Sequence, residues 1–379
     1  MVNNQPLHIV FTLANNSSAP YFNWFAERSE HEKSIKLSFI CLYPEKPKMI
    51  EDVGQYGCDC YWVKYDDKER KKDLVRATWD IYQICKKIKP DVIHSHLFDD
   101  ALPTMLAGRL AGVKIRANTR GDASYHYYYA PTWFVFDKFN NWNSTHIVAI
   151  SEECKDFVLD KEKADPIKVT RIHHGIPVKE FTNQSEKDKD FLKNKYNLHG
   201  KKVIGTVSRL IEWKGYRYII EAAKDLVKIY PDIKFLFVGT GPQKEELEDL
   251  ITQYNLNDHV ILVGWMERSL IPSFYGVLDV YLHAASNEPF GFVIAEAMMN
   301  SAAVISTKTG AALDAINHLE NGYLIEPKDS HGIIEGIQYI LSHNTNELRQ
   351  KAASTATYMY NFERMWQDYI DLYKKTYSI

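Results

Sequence analysis

The stretch Asn287-Glu288-Pro289-Phe290-Gly291-Phe292-Val293-Ile294-Ala295-Glu296 joins two apolar runs of different character. The run before it, 278–282, is short and strand-like. The run that leaves it, 292–299, has the length of a helical segment. Pro-Phe-Gly between them marks a tight turn. Glu288 then sits at a strand-to-helix turn, and Glu296 sits two turns into the helix. Free N–H groups and a partial positive charge gather at a helix start, so an anion such as a diphosphate can bind at the mouth of the turn. The two flanking carboxylates can accept hydrogen bonds from hydroxyls. Diphosphate and sugar hydroxyls together describe a nucleotide-sugar.

Strand and helix patterns alternate on both sides of this stretch. Strand-like runs fall at 8–13, 35–42, 59–64, 91–94, 114–117, 146–150 and 168–172, with helical patterns between them. A polar, charge-rich break follows at 181–200 and reads as a linker with one short helix. The alternation restarts at 202–207, 233–239, 259–264, 280–283, 303–306 and 322–325. Short apolar strands separated by helices predict parallel sheets covered on both faces. The expectation is an α/β chain of two doubly wound, Rossmann-like domains, 1–180 and 181–358, with a closing helix at 359–379. Ligands bind beyond the carboxyl ends of such strands, so the cleft between two such domains is the expected site.

Length and composition agree with that division. A chain of 379 residues suggests two domains at ~150 residues each. A formal charge of −3 argues against a general nucleic-acid binder. The first strand-like run lacks a basic region before it and does not read as a secretory leader. No apolar run approaches the ~20 residues that span a bilayer. Cys41, Cys58, Cys60, Cys85 and Cys154 are an odd set in a large chain, which favours a reducing cytosol over a disulfide framework.

After the strand at 202–207 comes Ser208-Arg209-Leu210-Ile211-Glu212-Trp213-Lys214-Gly215. Arg209 and Lys214 share one strand-to-helix loop and can face one pocket. Two fixed cations stabilise a leaving diphosphate without a metal. After the next strand, Gly239-Thr240-Gly241-Pro242 lacks the third glycine of a dinucleotide fingerprint. It is either a tight turn or a place where a nucleotide lies close to the backbone.

Arg209…Lys214-Gly215, Gly239-Thr240-Gly241-Pro242, Glu288-Pro289-Phe290-Gly291…Glu296-Ala297 and Gly322-Tyr323-Leu324, in that order, resemble the GT4 family of retaining glycosyltransferases with the GT-B fold. The likeness extends to 91–96, 149–152 and 174–177. It implies that Arg209 and Lys214 hold the donor diphosphate and that Glu288 contacts the donor sugar. Backbone amides of Phe290 and Gly291, with Phe292 beside them, would reach sugar and phosphate. Glu296 would hold the ribose hydroxyls, and Gly239 and Gly241 would line the nucleotide. The donor is expected to be a nucleoside-diphosphate sugar, with UDP as the default. The acceptor would be a saccharide or lipid-linked saccharide, no metal or other cofactor is expected, and the closing helix would cross back to the first domain. The implied setting is cytoplasmic, with peripheral contact at the inner face of a membrane.

Three departures from the family pattern stand out. The glycine-rich loop after the first strand is replaced by Ala14-Asn15-Asn16-Ser17-Ser18-Ala19. A Gly-Gly pair becomes Gly310-Ala311-Ala312. Where the family places a histidine near the reacting sugar, this chain has Thr119-Arg120-Gly121-Asp122, so Arg120, Asp122 or nearby His126 takes that place. Of the remaining features, His94 and His96 lack supporting metal ligands, and Asp188-Lys189-Asp190 reads as a solvated run. The aromatic segment 125–134 is either an acceptor or membrane surface or the start of an ordinary buried helix. Two rivals remain: a nucleotide-sugar epimerase or hydrolase of the same architecture, and a catalytically silent nucleotide-sugar-binding subunit.

Overall fold

The computed structural model describes residues 5–122 and 125–377. They form two compact units, one running up to His173 and resuming at Trp366, the other His174–Met365.

The first unit is a parallel sheet of β1 (Leu7–Ala14), β2 (Ile35–Tyr43), β3 (Asp59–Lys64), β4 (Val92–Ser95), β5 (Ile115–Arg120), β6 (His146–Ala149) and β7 (Val169–Arg171). Their order is β3-β2-β1-β4-β5-β6-β7. Strand succession runs one way from β1 and the other way from β4, so a topological switch point lies between these two. There Phe11 pairs with His94 and Thr12 with Ser95. The central strands are buried on both faces, while the edge strands β3 and β7 are not, and Val10, Ile40, Ile81 and Ile93 share one core cluster.

The second unit repeats the plan with β8 (Lys202–Val207), β9 (Ile233–Val238), β10 (Val260–Gly264), β11 (Val280–His283), β12 (Val304–Thr307) and β13 (Tyr323–Ile325), in the order β10-β9-β8-β11-β12-β13. Its switch point lies between β8 and β11, which pair through Val280–Ile204 and Tyr281–Gly205. The loops that follow β8 and β11 are therefore neighbours, although Lys214 and Glu288 on them are 74 residues apart in sequence.

Three boundaries differ from the sequence expectation. The 181–200 stretch is no linker: the helix Glu186–Lys195 buries Leu192 within the second unit, and the Ser185 amide donates to Ser273 Oγ at 2.9 Å. Most of its residues are charged, which is why composition alone reads as a break. The division falls instead at His173/His174, where the chain pairs with its own return: Ile176 N–H donates to Tyr360 O at 2.9 Å and Phe362 N–H to Ile176 O at 3.1 Å. A Cβ on Gly175 would lie 2.6 Å from Asn361 O, so only glycine allows this approach. Finally, the helix after β11 begins at Phe292, which puts Glu296 one turn in rather than two.

The helix Phe362–Tyr377 adds buried Trp366, Tyr369 and Tyr373 to the first unit. The Trp366 and Tyr369 rings lie 6.1 and 6.0 Å from Phe25, and Tyr373 Oη shares a 2.5 Å hydrogen bond with His94 Nδ1. His94 Nε2 meets Thr119 Oγ1 at 2.8 Å, and burial pushes the ring down to about 3, so it is neutral and fully used in packing.

Candidate functional site

The loop after β8 is fixed by its neighbours. Leu210 N–H donates to Thr240 O at 2.9 Å, and Gln243 N–H donates to Leu210 O at 3.1 Å. A Cβ on Gly239 would fall 1.9 Å from Ser208 O, and one on Gly241 would fall 2.3 Å from Leu210 O. These glycines let two protein loops touch, which accounts for Gly-x-Gly without a nucleotide against it. At the other end of the loop Gly215 has φ +75°, with Ala284 O only 2.1 Å from where a Cβ would stand. Ser286 N–H donates to Trp213 O at 2.8 Å. Together these contacts strap the Arg209–Lys214 loop to the turn that follows β11.

The strap delivers Lys214 to Glu288: its ammonium donates to Glu288 Oε2. His283, the last residue of β11 and buried, places Nε2 3.1 Å from the same oxygen, off the line of a good hydrogen bond. Burial pushes the Glu288 carboxyl up, but His283 and then Lys214 outweigh it and hold it down at about 2. Glu288 is thus an ionised, largely enclosed carboxylate. Arg209, by contrast, is exposed and has no side-chain partner among the described residues.

The turn itself is shaped by glycines. Gly291 has φ +85°, and a Cβ on Gly310 would lie 2.2 Å from Glu288 O. Ala311 N–H donates to Phe290 O at 2.7 Å. The Gly310-Ala311-Ala312 segment therefore braces the turn from behind. The Phe290 ring is buried among His174, Phe292 and Tyr360 at 5.0–5.3 Å, so only its backbone is left to meet a ligand. Phe292 is half-buried and stacks on His174 at 5.4 Å.

Glu296 is held differently. Burial dominates and pushes its carboxyl up to about 6, against a 3.0 Å hydrogen bond donated by Tyr275 and the charge of Arg268. A carboxylate raised in the fold is destabilising when ionised, so this part of the stability is lost as pH rises from about 4.5 through 6. Glu296→Gln should therefore stabilise the protein at pH 8 by about 1–2 kcal/mol. Urea midpoints should converge below pH 4.5, because both side chains are then neutral. If Glu296 serves ribose hydroxyls, the same variant weakens donor binding.

The first unit places Arg120, Asp122 and His126 together, but commits two of them elsewhere. Arg120 is the last residue of β5, and its guanidinium lies 2.6 Å from Glu162 and 3.4 Å from Asp137, all three buried. His126 Nδ1 meets the other Asp137 oxygen at 2.8 Å. Burial lowers and these carboxylates raise the Arg120 guanidinium, for a net rise. Asp122 accepts from the Tyr125 amide at 3.1 Å, and its charge adds to those that raise Arg120. Arg120, Asp122, Asn118 and His96 border a cavity of about 120 Å³ at the carboxyl edge of the sheet. Among the described residues, no group of three His, Cys, Asp or Glu is placed to hold a metal ion.

Two family models match the chain: "Glycosyl transferases group 1" over residues 188–359 and "Glycosyltransferase Family 4" over residues 34–180. The chain carries glycosyltransferase domains of the group 1 and family 4 types. It is 25% identical over 316 residues to the Escherichia coli UDP-Gal:alpha-D-GlcNAc-diphosphoundecaprenol alpha-1,3-galactosyltransferase, covering 79% of this chain and 80% of that one. It is 28% identical over 205 residues to an uncharacterized glycosyltransferase of Methanocaldococcus jannaschii, covering 54% and 52%. The chain spans about half the length of several curated relatives, 52% and 46% for two of them. Anabaena HepE, solved in complex with UDP, superposes with a TM-score of 0.83 at 17% identity, covering 97% of this chain and 99% of that one. Such a likeness establishes the fold: two parallel-sheet, Rossmann-like α/β units of GT-B type.

Reading this glycosyltransferase-type chain by motif leaves out His283, Tyr275 and Tyr281. Tyr281 Oη is buried in the same strand as His283 and has no hydrogen-bond partner among the described residues. The available signal was positional: His283 is a polar residue at the carboxyl end of an apolar strand beside the switch point. Tyr275 gives no such signal, because it lies on a separate short helix, Ile271–Gly276.

Proposed function

We propose that this chain is a retaining glycosyltransferase. It would move a sugar from a nucleoside-diphosphate sugar, with UDP as the expected nucleotide, to a saccharide or lipid-linked saccharide in polysaccharide or glycoconjugate assembly. The observation that carries this reading is Glu288, held ionised by His283 and Lys214 beside a helix start, with unpaired Arg209 on the adjoining loop. The arriving diphosphate takes Arg209 and draws Lys214 from Glu288, which frees that carboxylate to accept from sugar hydroxyls. Charge that grows on the leaving diphosphate is met by the two cations without a metal. Glu296, one turn along the helix, accepts from the ribose. In the first unit Arg120 acts as a positioning residue, and Asp122 faces the acceptor side. The names of the relatives support a UDP-sugar donor and a lipid-diphosphate-linked acceptor.

A thermal-shift series with UDP-, GDP- and ADP-sugars tests the donor half. A ligand that binds only the native state at about 100 times its Kd adds about 2.7 kcal/mol of stability. One nucleotide class should raise the melting midpoint by several degrees, and Arg209→Ala should remove most of that rise. Equal indifference to all three would sink the proposal.

A further inference from the structure

Successive residues of β11 serve two different surroundings. Val280 and Leu282 lie in the apolar core of the second unit. Tyr281 and His283 point the other way, as alternate residues of a strand must. His283 is 1% exposed, and its backbone is paired with Ser306 of β12. Its Nε2 is buried and has no hydrogen-bond partner among the described residues. A buried polar atom left unmatched is costly, so it persists where another state of the site uses it.

A histidine used only for packing looks different in this same chain. His94 is also buried, and it engages both ring nitrogens, Nδ1 with Tyr373 and Nε2 with Thr119. His283 instead leaves Nε2 open on the side of Glu288. The two atoms stand 3.1 Å apart, within range of a hydrogen bond but off its line. The same Glu288 oxygen is already the acceptor for the Lys214 ammonium. A carboxylate turned to suit the lysine is turned away from the imidazole.

The two partners differ in freedom. Lys214 is carried on the loop after β8, and its four-carbon stem can release one anion for another. His283 is carried on a strand in the middle of the sheet and stays where it is. Burial pushes the Glu288 carboxyl up, and His283, then Lys214, holds it down. If Lys214 left and nothing replaced it, a largely enclosed carboxylate would stand alone.

We propose that His283 is the positioning residue of Glu288 in the donor-bound site, taking the carboxylate over when Lys214 leaves it. In the empty site Lys214 holds Glu288. When a diphosphate draws Lys214 away, the carboxylate turns and accepts in line from the His283 Nε2–H. Glu288 then stays aimed at the sugar hydroxyls while the lysine serves the phosphates. The exchange requires the imidazole proton on Nε2. His283 touches no reacting atom and acts through Glu288 alone. The inference rests on the glycosyl-transfer reading for the diphosphate, but the exchange itself belongs to three side chains and is readable without turnover.

NMR of the imidazole N–H signals of the whole chain tests it, with His283 assigned by the signal lost in His283→Gln. Lys214→Met imitates departure of the lysine without any ligand. In that variant the Nε2 proton should move downfield and exchange more slowly with water, as a new in-line hydrogen bond to a carboxylate requires. Adding Glu288→Gln should abolish the change. UDP added to the parent should reproduce it. An Nε2 signal that Lys214→Met leaves unmoved, or a proton found on Nδ1 instead, overturns the proposal. Movement in Lys214→Met without any response to UDP supports the exchange and counts against the donor reading, so the two failures are seen separately. In the transfer assay His283→Phe should lower kcat by up to about 100-fold, the scale for a misplaced group at a reacting centre, with little change in donor KM. His283→Gln, whose amide N–H reaches the same oxygen, should restore most of it. In a Glu288→Gln background His283→Phe should cost nothing further. Equal losses in the Phe and Gln variants, or a loss confined to KM, would leave His283 a packing residue and overturn the proposal.

Discussion

Glu288→Gln should lower sugar transfer by about 10²–10³-fold, the usual effect of removing one aligned electrostatic group from an enclosed site. The amide keeps the shape of the side chain but loses the charge that Lys214 and His283 are arranged around. Its donor affinity should fall much less than its turnover, because Arg209 and Lys214 still hold the diphosphate. A drop confined to KM would assign Glu288 to ground-state binding instead. Stability should move as well. The carboxyl is held at about 2 in the fold against an ordinary 4.5. A depressed carboxylate stabilises above its unfolded pKa and loses that contribution as pH falls through the folded one. The parent should therefore lose about 3 kcal/mol between pH 4.5 and 2 that the Gln variant never had. Urea unfolding at pH 7 and pH 3 reads the difference; parallel pH profiles would refute the assigned pairing.

Arg120→Met should destabilise the first unit by about 3–5 kcal/mol, the range for removing one partner of a buried ion pair. The arginine side chain is 3% exposed and Glu162 is fully enclosed, so water cannot replace the lost guanidinium. Glu162 is already raised, by burial first, even with Arg120 lowering it. Without Arg120 it rises further. The variant should then recover part of its deficit as pH falls and Glu162 takes up a proton. Adding Glu162→Gln should restore stability for the same reason. The measurement is the urea midpoint at pH 5 and pH 8. Unchanged stability together with lost transfer would instead make Arg120 a catalytic residue that touches substrate.

The strands were legible because each is a short apolar run closed by polar or turn residues. β8 and β11 fall where the pattern puts them, since a parallel strand covered on both faces leaves little room for polar residues. The 181–200 stretch was misread as a linker, although its short helix was expected, because a helix that buries one leucine carries too little apolar signal to reveal that it packs on a domain. The helix Pro131–Asn143, which follows Tyr125–Tyr129, defeated pattern reading for a different cause. It buries Asp137, Asn140, Asn141 and Asn143 and exposes Val135, Phe136, Phe139 and Trp142, so the expectation of an ordinary buried helix is corrected. The side chain of Tyr129 lies outside the described residues. Periodicity reports that one side differs from the other, but the direction in which that side faces depends on whether Asp137, Asn141 and Asn143 find partners.

By itself the sequence determined the two-unit α/β plan and singled out Arg209, Lys214, Glu288 and Glu296 as candidates, because strand burial and the motif spacing after each strand are local properties. Only the tertiary structure decided what those residues do to one another. The switch point between β8 and β11 brings Lys214 onto Glu288, and His283 joins them from the strand end. Two glutamates on one turn and helix are thereby driven in opposite directions, Glu288 down to about 2 and Glu296 up to about 6. Charge state follows from desolvation and from the partners within a few ångströms, and neither is set by neighbours along the chain.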